Sequence, residues 1–318
     1  MKKISIMVPT YNEVDNIKDI AKCILDIFSA KLPEYDYEIV IIDNASTDGT
    51  QEIITNLCRK NRKIKAIFNA KNYGSIASPF YGLTQCTGDA VVFVPADFQD
   101  PPELIETFVR EWEKGVEVVL GHKAVSKTNP IMHFLRGQYY KLISLMSDVE
   151  LLEHCTDFGL FDKGFINLLS ETGDNQPFFR GFVAKYATTI KLIDYIQQNR
   201  RSGKSKFNFY RLYDYAMVGF TSHTKIGMRL AVFSGFAVGL LSAFSGTAYM
   251  IYRFFYWHVD SGIIPILIGV FFIGGANLFF VGILGEFILA LNYRSIKQPL
   301  VREALRLNFE NATNENRN

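Results

Sequence analysis

The sequence has few cysteines, and none of them forms a paired motif. Cys23, Cys58, Cys86 and Cys155 are isolated, and no CxxC pair occurs. A disulfide framework or a zinc site is therefore not expected, and a reducing compartment fits this cysteine usage best. The five histidines are scattered without an HExxH motif, so histidine ligation of a metal is not expected either.

A large excess of charge of either sign is absent as well. The 318 residues include 34 lysines and arginines against 32 aspartates and glutamates, a net charge of +2. This balance gives no general electrostatic reason to expect nucleic acid binding. Two lysines open the chain, but the apolar run behind them ends at Pro9. The N-terminus therefore predicts a first strand and not a signal peptide.

Two segments of the last third, 230–252 and 261–285, contain no charged residue. As helices they would be about 34 and 37 Å long, against about 30 Å of membrane hydrocarbon. The connection between them is too short for more than a turn. The sequence therefore predicts a transmembrane hairpin with spans at about 229–253 and 261–286; two buried core helices of a soluble protein are the alternative.

Basic residues flank this predicted hairpin on its outer sides, at Lys225 and Arg229 before it and at Arg294 and Lys297 after it. The positive-inside rule then places both termini in the cytoplasm of a bacterium, with the hairpin in the inner membrane. The expected order is a cytoplasmic domain (1–206), an interfacial amphipathic helix (207–226), the hairpin (227–292) and a cytoplasmic tail (293–318).

The first part of the chain alternates strand-like and helix-like segments. Short β-branched runs at 4–8, 37–43, 64–68, 90–94 and 117–120 are separated by segments with helical periodicity. This alternation predicts an α/β fold with a mostly parallel sheet.

Polar clusters follow three of these predicted strands: "PTYNE", "DNASTDGT" and "PADFQD". Ligands of such sheets bind beyond the carboxyl ends of the strands, so the three clusters predict one shared cleft. Asp97 stands at the tip of the fourth strand, where Mg²⁺ or Mn²⁺ could bridge it to a diphosphate. Each cluster alone could equally be a loop with a helix cap at Ser46 or Asp48.

The motifs "SIMVPTYNE", "VIIDNASTDGT", "KNYGSIASPFYGL", "TGDAVVFVPADFQDPPEL" and "TDFGLFDK" resemble the family 2 glycosyltransferases. The element "RRSGKSKF", the two apolar segments and "LGEFILALNYRSIKQPL" are similar to the polyisoprenyl-phosphate glycosyltransferases. That group includes the bactoprenol glucosyltransferases and the dolichol-phosphate mannose synthases. The resemblance implies an A-type (Rossmann-like) nucleotide-sugar fold and a homo-oligomer, such as a tetramer.

The resemblance also implies a role for particular residues. Asp157 and Asp97 are the expected catalytic residues, and Asp97 and Gln99 the expected ligands of Mg²⁺ or Mn²⁺. The expected nucleotide-sugar-binding residues are Pro9, Tyr11, Glu13, Asp43, Asn72, Ala96 and Asp97. The expected lipid-phosphate-binding residues are Lys123, Arg200, Ser205 and Lys206. The cluster around Arg200 could otherwise be a simple basic attraction to anionic lipid, and Asp157 could be structural.

The sequence departs from the family pattern at four positions. Pro95 replaces the first aspartate of D-x-D, and Asn44 replaces the second aspartate that is common after the second strand. Ser75 stands where a lysine is frequent and Gly159 where an arginine is frequent. We interpret the metal site as functional but modified, and Ser75 and Gly159 as signs of a different donor sugar.

The function that this pattern predicts is inverting transfer of one hexosyl unit, from a nucleotide sugar such as a UDP-sugar, to undecaprenyl or another polyisoprenyl phosphate. A membrane-tethered protein that binds the nucleotide sugar without turnover is the alternative. A processive polysaccharide synthase is disfavoured, because neither Trp112 nor Trp257 lies in a Q-x-x-R-W motif. A transporter is disfavoured because two spans line no pathway by themselves.

Overall fold

The structure is a computed structural model, and it describes residues 1–125, 155–171, 179–198, 226–255, 263–295 and 299–309. The strands are β1 (Lys3–Thr10), β2 (Asp36–Asp43), β3 (Ile64–Asn69), β4 (Ala90–Phe93), β5 (Val118–Val125), β6 (Cys155–Asp162), β7 (Ile190–Ile196) and β8 (Glu303–Leu307). The helices are α1 (Ile17–Lys31), α2 (Thr50–Lys60), α3 (Gly74–Thr84), α4 (Leu104–Glu113), α5 (Lys163–Glu171), α6 (Phe179–Tyr186), α7 (Ile226–Phe255) and α8 (Ile263–Ser295).

The eight strands form one sheet in the order β7-β5-β6-β4-β1-β2-β3-β8. The pairs β1–β2, β1–β4, β2–β3 and β5–β7 are parallel, whereas β3–β8, β4–β6 and β5–β6 are antiparallel. The α/β prediction and its five strands are confirmed. The sheet is more mixed than the sequence indicates, because β6 and β8 run against their neighbours.

Helices cover both faces of the sheet, which explains why its central strands are apolar almost throughout. On one face, α1, α2 and α4 pack on alternate residues of β1 such as Ile4, Ile6 and Val8. On the other face, α3, α5 and α6 pack in a second cluster that includes Met7. This arrangement leaves the strand ends as the place where polar side chains accumulate.

The C-terminal strand β8 closes the edge of the sheet beside β3. Leu305 pairs with Phe68, and Glu303 pairs with Asn69 at the carboxyl end of β3. Beyond the strand, the Asn308 side chain donates to the carbonyl oxygens of Cys58 and Ile64, at 2.7 and 2.8 Å. The segment predicted as a cytoplasmic tail (293–318) therefore contains a strand of the sheet, whereas residues 310–318 lie outside the described ranges.

The two predicted spans fall on the long helices α7 and α8. Within the part of the chain that the structure describes, one helix is long and apolar enough to cross a membrane. Its window, Phe272–Leu289, has a mean hydropathy of 1.9 and lies in α8. The predicted interfacial helix (207–226) and the connection between the spans fall almost entirely outside the described residues.

Glu38, in β2, is buried at the amino-terminal edge of the sheet among hydrogen-bond donors. Lys65 and Lys3 lie 2.7 and 2.9 Å from its carboxylate, and Ser5 and Thr87 also donate to it. Burial acts to raise the pKa of Glu38, but these donors outweigh burial and lower the pKa to about 2. A carboxyl group whose pKa falls on folding stabilises the protein above its unfolded pKa of about 4.3. That contribution is lost as the pH falls toward the folded pKa.

We therefore expect Glu38→Gln to destabilise the fold at pH 7 by about 2 kcal/mol, through the loss of charge-assisted hydrogen bonds. The difference from the unmodified protein should shrink between pH 5 and pH 3, where the unmodified protein itself loses this contribution. Thermal unfolding of both proteins at pH 7 and at pH 3 measures this difference in stability. Glu106→Gln, which removes an exposed ion pair with Lys31, is the control and should change little. An equal difference at both pH values would contradict the prediction.

Candidate active site

The loops that follow β1 and β2 are joined into one wall at the carboxyl edge of the sheet. Thr10 pairs with Asp43 at the ends of the two strands. Beyond them, the Asn12 backbone N–H donates to Ser46 Oγ at 2.8 Å, and Thr47 N–H donates to Asn12 Oδ1 at 2.9 Å. Asp48 accepts from Thr50 N–H at the start of α2, at 3.1 Å. Asp48 thus accepts from the first N–H group of α2, although the N-cap residue, Gly49, makes no side-chain cap hydrogen bond. The two loops also hold each other in place.

Three of the four described non-glycine residues with positive φ lie in the loops that carry the polar clusters; the fourth, Asn308, follows β8. Asn12, Ala45 and Phe98 have φ angles of 56°, 61° and 56°, in the left-handed region that residues other than glycine seldom adopt. One of them follows each of β1, β2 and β4. Strained residues of this kind persist where the surrounding structure fixes them, and they cluster at functional sites.

Asp43 is completely buried at the end of β2 and has one oxygen without a partner. Its Oδ2 accepts from Ser46 N–H at 3.0 Å and from Gln51 Nε2 at 2.6 Å. Its Oδ1 has no hydrogen-bond donor in the described part of the protein. Because an unpaired buried acceptor is costly, this atom is suited to receive one N–H group from a bound molecule.

Asn44 is the centre of a network that fixes the loop between β3 and α3. Its Nδ2 donates to Asn72 Oδ1 at 3.1 Å and to Gly74 O at 2.9 Å. Its Oδ1 accepts from Asn69 Nδ2 at 3.2 Å and from Tyr73 N–H at 2.9 Å. An aspartate, the residue that the family pattern favours, could not make the two donor contacts. The asparagine is therefore matched to this loop.

The loop after β4 presents oxygen atoms of the kind that hard divalent cations prefer. Asp97 and Gln99 are half-buried, and the Gln99 backbone N–H donates to Asp97 Oδ1 at 3.2 Å. The described residues contain no group of three or more acidic, histidine or cysteine side chains that could hold a metal ion. Mg²⁺ and Mn²⁺ sites often use one or two carboxylates and complete their shell with substrate phosphates and water. These two residues fit such a site, and Pro95 adds no ligand to it.

The same loop contains a second carboxylate, directly after Gln99. Asp100 is buried and accepts a hydrogen bond from the hydroxyl of Tyr195, on β7. Lys123 Nζ, on β5, lies 3.6 Å from the same Asp100 oxygen. Burial raises the pKa of Asp100, while Lys123 and Tyr195 act in the opposite direction. Its position next to Gln99, in "DFQDPP", is the one sequence signal for this group.

A profile of the family described as Glycosyl transferase family 2 matches residues 5–187, more than half of the chain. The chain belongs to this family. The predicted resemblance is therefore confirmed, and the cleft at the carboxyl edge of the sheet is the candidate active site of a glycosyltransferase.

Relatives of this glycosyltransferase align with it over most of its length. The bactoprenol glucosyl transferase of Shigella phage SfX is 28% identical over 298 residues, 93% of this chain and 97% of the relative. The prophage bactoprenol glucosyl transferase homolog of Escherichia coli (strain K12) is 26% identical over 298 residues, with the same coverage of 93% and 97%. A crystal structure of glucosyl-3-phosphoglycerate synthase from Mycobacterium tuberculosis with Mn²⁺, UDP and phosphoglyceric acid overlaps 69% of this chain and 76% of its own. The TM-score is 0.48 at 16% identity.

The structure of this glycosyltransferase places the predicted donor residues around the wall formed by the first two loops. Pro9 is the penultimate residue of β1, and Tyr11 and Glu13 follow the strand; all three are half-buried. Asn72 is exposed and is linked to the end of β2 through Asn44. Ala96 is buried directly before Asp97.

The predicted acceptor-side residues are only partly described. Lys123 lies on β5 beside Asp100. Asp157 lies on β6, two residues from Gly159, which is the partner of Phe93 at the end of β4. It therefore lies near the loop after β4. Arg200, Ser205 and Lys206 lie outside the described residues.

The structure gives Gly159 a packing role. It lies inside β6, and a Cβ atom there would clash with the Val119 carbonyl oxygen. Packing between β6 and β5 is therefore sufficient to explain a glycine here, whereas the link to a different donor sugar stays a prediction. Ser75, in contrast, is exposed in the first turn of α3, next to the loop that Asn44 fixes.

The Asn44 network predicts an asymmetric response to two similar substitutions in this glycosyltransferase. Asn44→Asp removes both donors and sets a carboxylate oxygen against two other acceptors, Asn72 Oδ1 and Gly74 O. We expect a loss of about 1–3 kcal/mol in stability and faster hydrogen exchange in residues 69–84. Mass spectrometry of amide exchange measures the second effect.

Asn12→Asp is the matched control, because it makes the same charge change on the same wall. The Asn12 side chain is an acceptor for Thr47, a role that aspartate keeps, and aspartate also tolerates the left-handed backbone at this position. Exchange in residues 69–84 should therefore remain unchanged. Equal effects of the two variants would contradict the role of Asn44 as a donor.

Proposed function

We propose that this glycosyltransferase transfers a single hexosyl unit from a UDP-sugar to a polyprenyl phosphate, with inversion, at the cytoplasmic face of a bacterial membrane. The relatives named bactoprenol glucosyl transferase support the lipid acceptor, because they align with 93% of this chain, including both long helices. The observation that carries the proposal is the position of β8. This strand follows the proposed membrane helices, and its first residue, Glu303, pairs with Asn69 at the carboxyl end of β3, the end of the sheet where the candidate active site lies.

The pairing of β8 with β3 supports a membrane hairpin. The sheet contains strands from before α7 and after α8, so the two ends of the 199–298 segment lie on the same side of any membrane. The chain must then cross the membrane an even number of times. Because α8 contains an apolar window long enough to span, α7 is the natural second crossing, as the predicted spans 229–253 and 261–286 require.

Both connections to these helices join the sheet at its carboxyl edge. Gln198 donates its backbone N–H to Gln99 O at 3.0 Å, so the chain leaves the domain beside the loop after β4. On its return, the Arg302 carbonyl accepts from Ala70 N–H at 2.8 Å, just beyond β3. From Ser295 to Glu303 the chain can extend about 28 Å at most. The candidate active site is therefore held close to the membrane surface, where a lipid phosphate lies.

The unpaired oxygen of Asp43 supports uridine as the nucleoside. A uracil ring presents one N–H on its pairing edge, which matches the single unpaired acceptor Oδ1. Guanine presents an N–H and an adjacent amino group, and it would compete with Ser46 and Gln51 for Oδ2. We therefore propose UDP in preference to GDP as the leaving nucleotide.

The reaction joins the lipid phosphate to the sugar and releases UDP. A phosphate oxygen attacks the anomeric carbon from the side opposite UDP, and the bond from that carbon to the diphosphate oxygen breaks, its electron pair leaving with UDP. The phosphate is already ionised and needs no general base, so Asp157 orients the sugar or the acceptor. Lys123, with Arg200, Ser205 and Lys206, binds the lipid phosphate. Positioning and charge stabilisation then supply most of the rate gain.

A divalent cation fits this cleft and would be held by Asp97 and Gln99. When bound, Mg²⁺ or Mn²⁺ stabilises the negative charge on the departing diphosphate as a Lewis acid. Because Pro95 replaces the first aspartate of the D-x-D motif, Asp97 is the one carboxylate that this motif contains. A homo-oligomer remains a prediction from the family resemblance.

A transfer assay tests the proposal. The purified protein in detergent is given undecaprenyl phosphate, Mn²⁺ or Mg²⁺, and radiolabelled UDP-, GDP- and dTDP-sugars in parallel. We expect a lipid-soluble, acid-labile product from a UDP-sugar, lost on addition of EDTA and reduced at least about 100-fold in Asp97→Ala, which removes the metal-binding carboxylate.

Asp19→Ala, an exposed acidic residue in the first turn of α1, is the control and should leave transfer unchanged. Product from GDP-sugars alone would contradict the donor assignment. Nucleotide binding without a product from any donor would favour a tethered binding protein over an enzyme.

A further inference from the structure

Asp100 is a buried carboxylate for which the proposed reaction has no direct use. It is 5% exposed and follows directly after Gln99, one of the two proposed metal ligands. Ionised groups are seldom buried unless they are paired, and an apolar pair of the same volume often gives equal stability. The contacts that Asp100 makes therefore indicate what it does.

Those contacts link β5 and β7 to the loop after β4. The Tyr195 hydroxyl, from β7, donates to Asp100 Oδ1, and the Lys123 ammonium, from β5, lies 3.6 Å from the same oxygen. Tyr195 is itself 6% exposed, and its ring packs edge to face on Phe158 with centroids 5.8 Å apart. Its position is thus fixed by packing independently of the hydrogen bond.

A second contact joins the same loop to the end of β7. Three residues after Tyr195, the Gln198 backbone N–H donates to Gln99 O at 3.0 Å. Adjacent residues, Gln99 and Asp100, are therefore held by the same short segment. Arg200, the first residue of the proposed lipid-phosphate element, follows Gln198 by two residues. The segment that contacts the metal loop therefore leads, within two residues of sequence, into the proposed lipid-phosphate element.

We propose that Asp100 and Tyr195 form a positioning pair, which fixes the metal-binding Asp97–Gln99 loop relative to the cations that bind the lipid phosphate. The pair acts through Gln99 on the donor side, and through Lys123 and the chain leading to Arg200 on the acceptor side. Neither residue touches the reacting atoms. This inference rests on the proposed function for its acceptor side.

Tyr195→Phe tests the pair, because it removes one hydroxyl and keeps the ring that packs on Phe158. We expect about tenfold lower kcat/KM for undecaprenyl phosphate, mainly through KM. We also expect Mn²⁺ to bind several-fold more weakly in the presence of UDP, as measured by titration calorimetry. The second readout needs no turnover.

Tyr35→Phe is the matched control. Tyr35 is 8% exposed, and its hydroxyl also donates to a carboxylate, Glu113 Oε1, at 2.6 Å, but it lies at the amino-terminal edge of the sheet. The two variants remove the same hydroxyl from a buried tyrosine ring, so Tyr35→Phe controls for the general effect of that change, although its acceptor, Glu113, is exposed. Only Tyr195→Phe should alter Mn²⁺ binding and the KM for the lipid.

Asp100→Asn is the second variant, and it tests the positioning role of the pair if Tyr195→Phe does not fold. It should weaken Mn²⁺ binding in the same direction, and the double variant should be no worse than the more affected single variant, because the two residues act as one unit.

The positioning role is overturned if Tyr195→Phe and Asp100→Asn bind Mn²⁺ and UDP as the unmodified protein does. If the unmodified protein transfers no sugar to any lipid phosphate, the proposed function fails instead. In that case the Mn²⁺ titration still shows whether Asp100 and Tyr195 position the Asp97–Gln99 loop.

Discussion

The pairing of β1 with both β2 and β4 is the constraint on which the site depends. Because the three strands are parallel and in register, their carboxyl ends meet at one edge, and the chain must turn there three times. Each turn contains a residue in the left-handed region, at Asn12, Ala45 and Phe98. The sheet is buried on both faces, so most of the side chains proposed to bind the nucleotide and the metal lie in these turns.

The second constraint is that β8 belongs to the same sheet. A strand that follows two long helices returns to the domain and pairs at the carboxyl end of β3, through Glu303 and Asn69. The Tyr81 hydroxyl of α3 also donates to Glu303, at 2.7 Å, so the returning chain contacts the helix that begins at the Asn44 network. The proposed membrane anchor and the proposed donor site are therefore parts of one connected structure, although their residues are far apart in sequence.

The first five strands and α1 could be predicted because their apolar periodicity is local, and the three polar clusters could be placed because parallel strands share an edge. Residues 155–162 and 303–307 carry no comparable local signal, since their pairing depends on distant strands. The Asp100–Tyr195 contact joins residues 95 positions apart and has no sequence pattern at all. The packing role of Gly159 has no local sequence signal for the same reason, because the backbone that a side chain there would meet belongs to another strand.

Asn44 and Pro95 together remove two carboxylates from a cleft that is proposed to receive a diphosphate and a lipid phosphate. Each missing charge reduces repulsion of these anions, an effect that is strongest in a partly buried site. The cost is a weaker hold on a free cation, because Asp97 is left as the carboxylate of its motif. That cost is small if the cation arrives already bound to the nucleotide, since the diphosphate then supplies part of the coordination shell. The departures from the family pattern are thus consistent with a working site that binds the metal and the donor as one ligand.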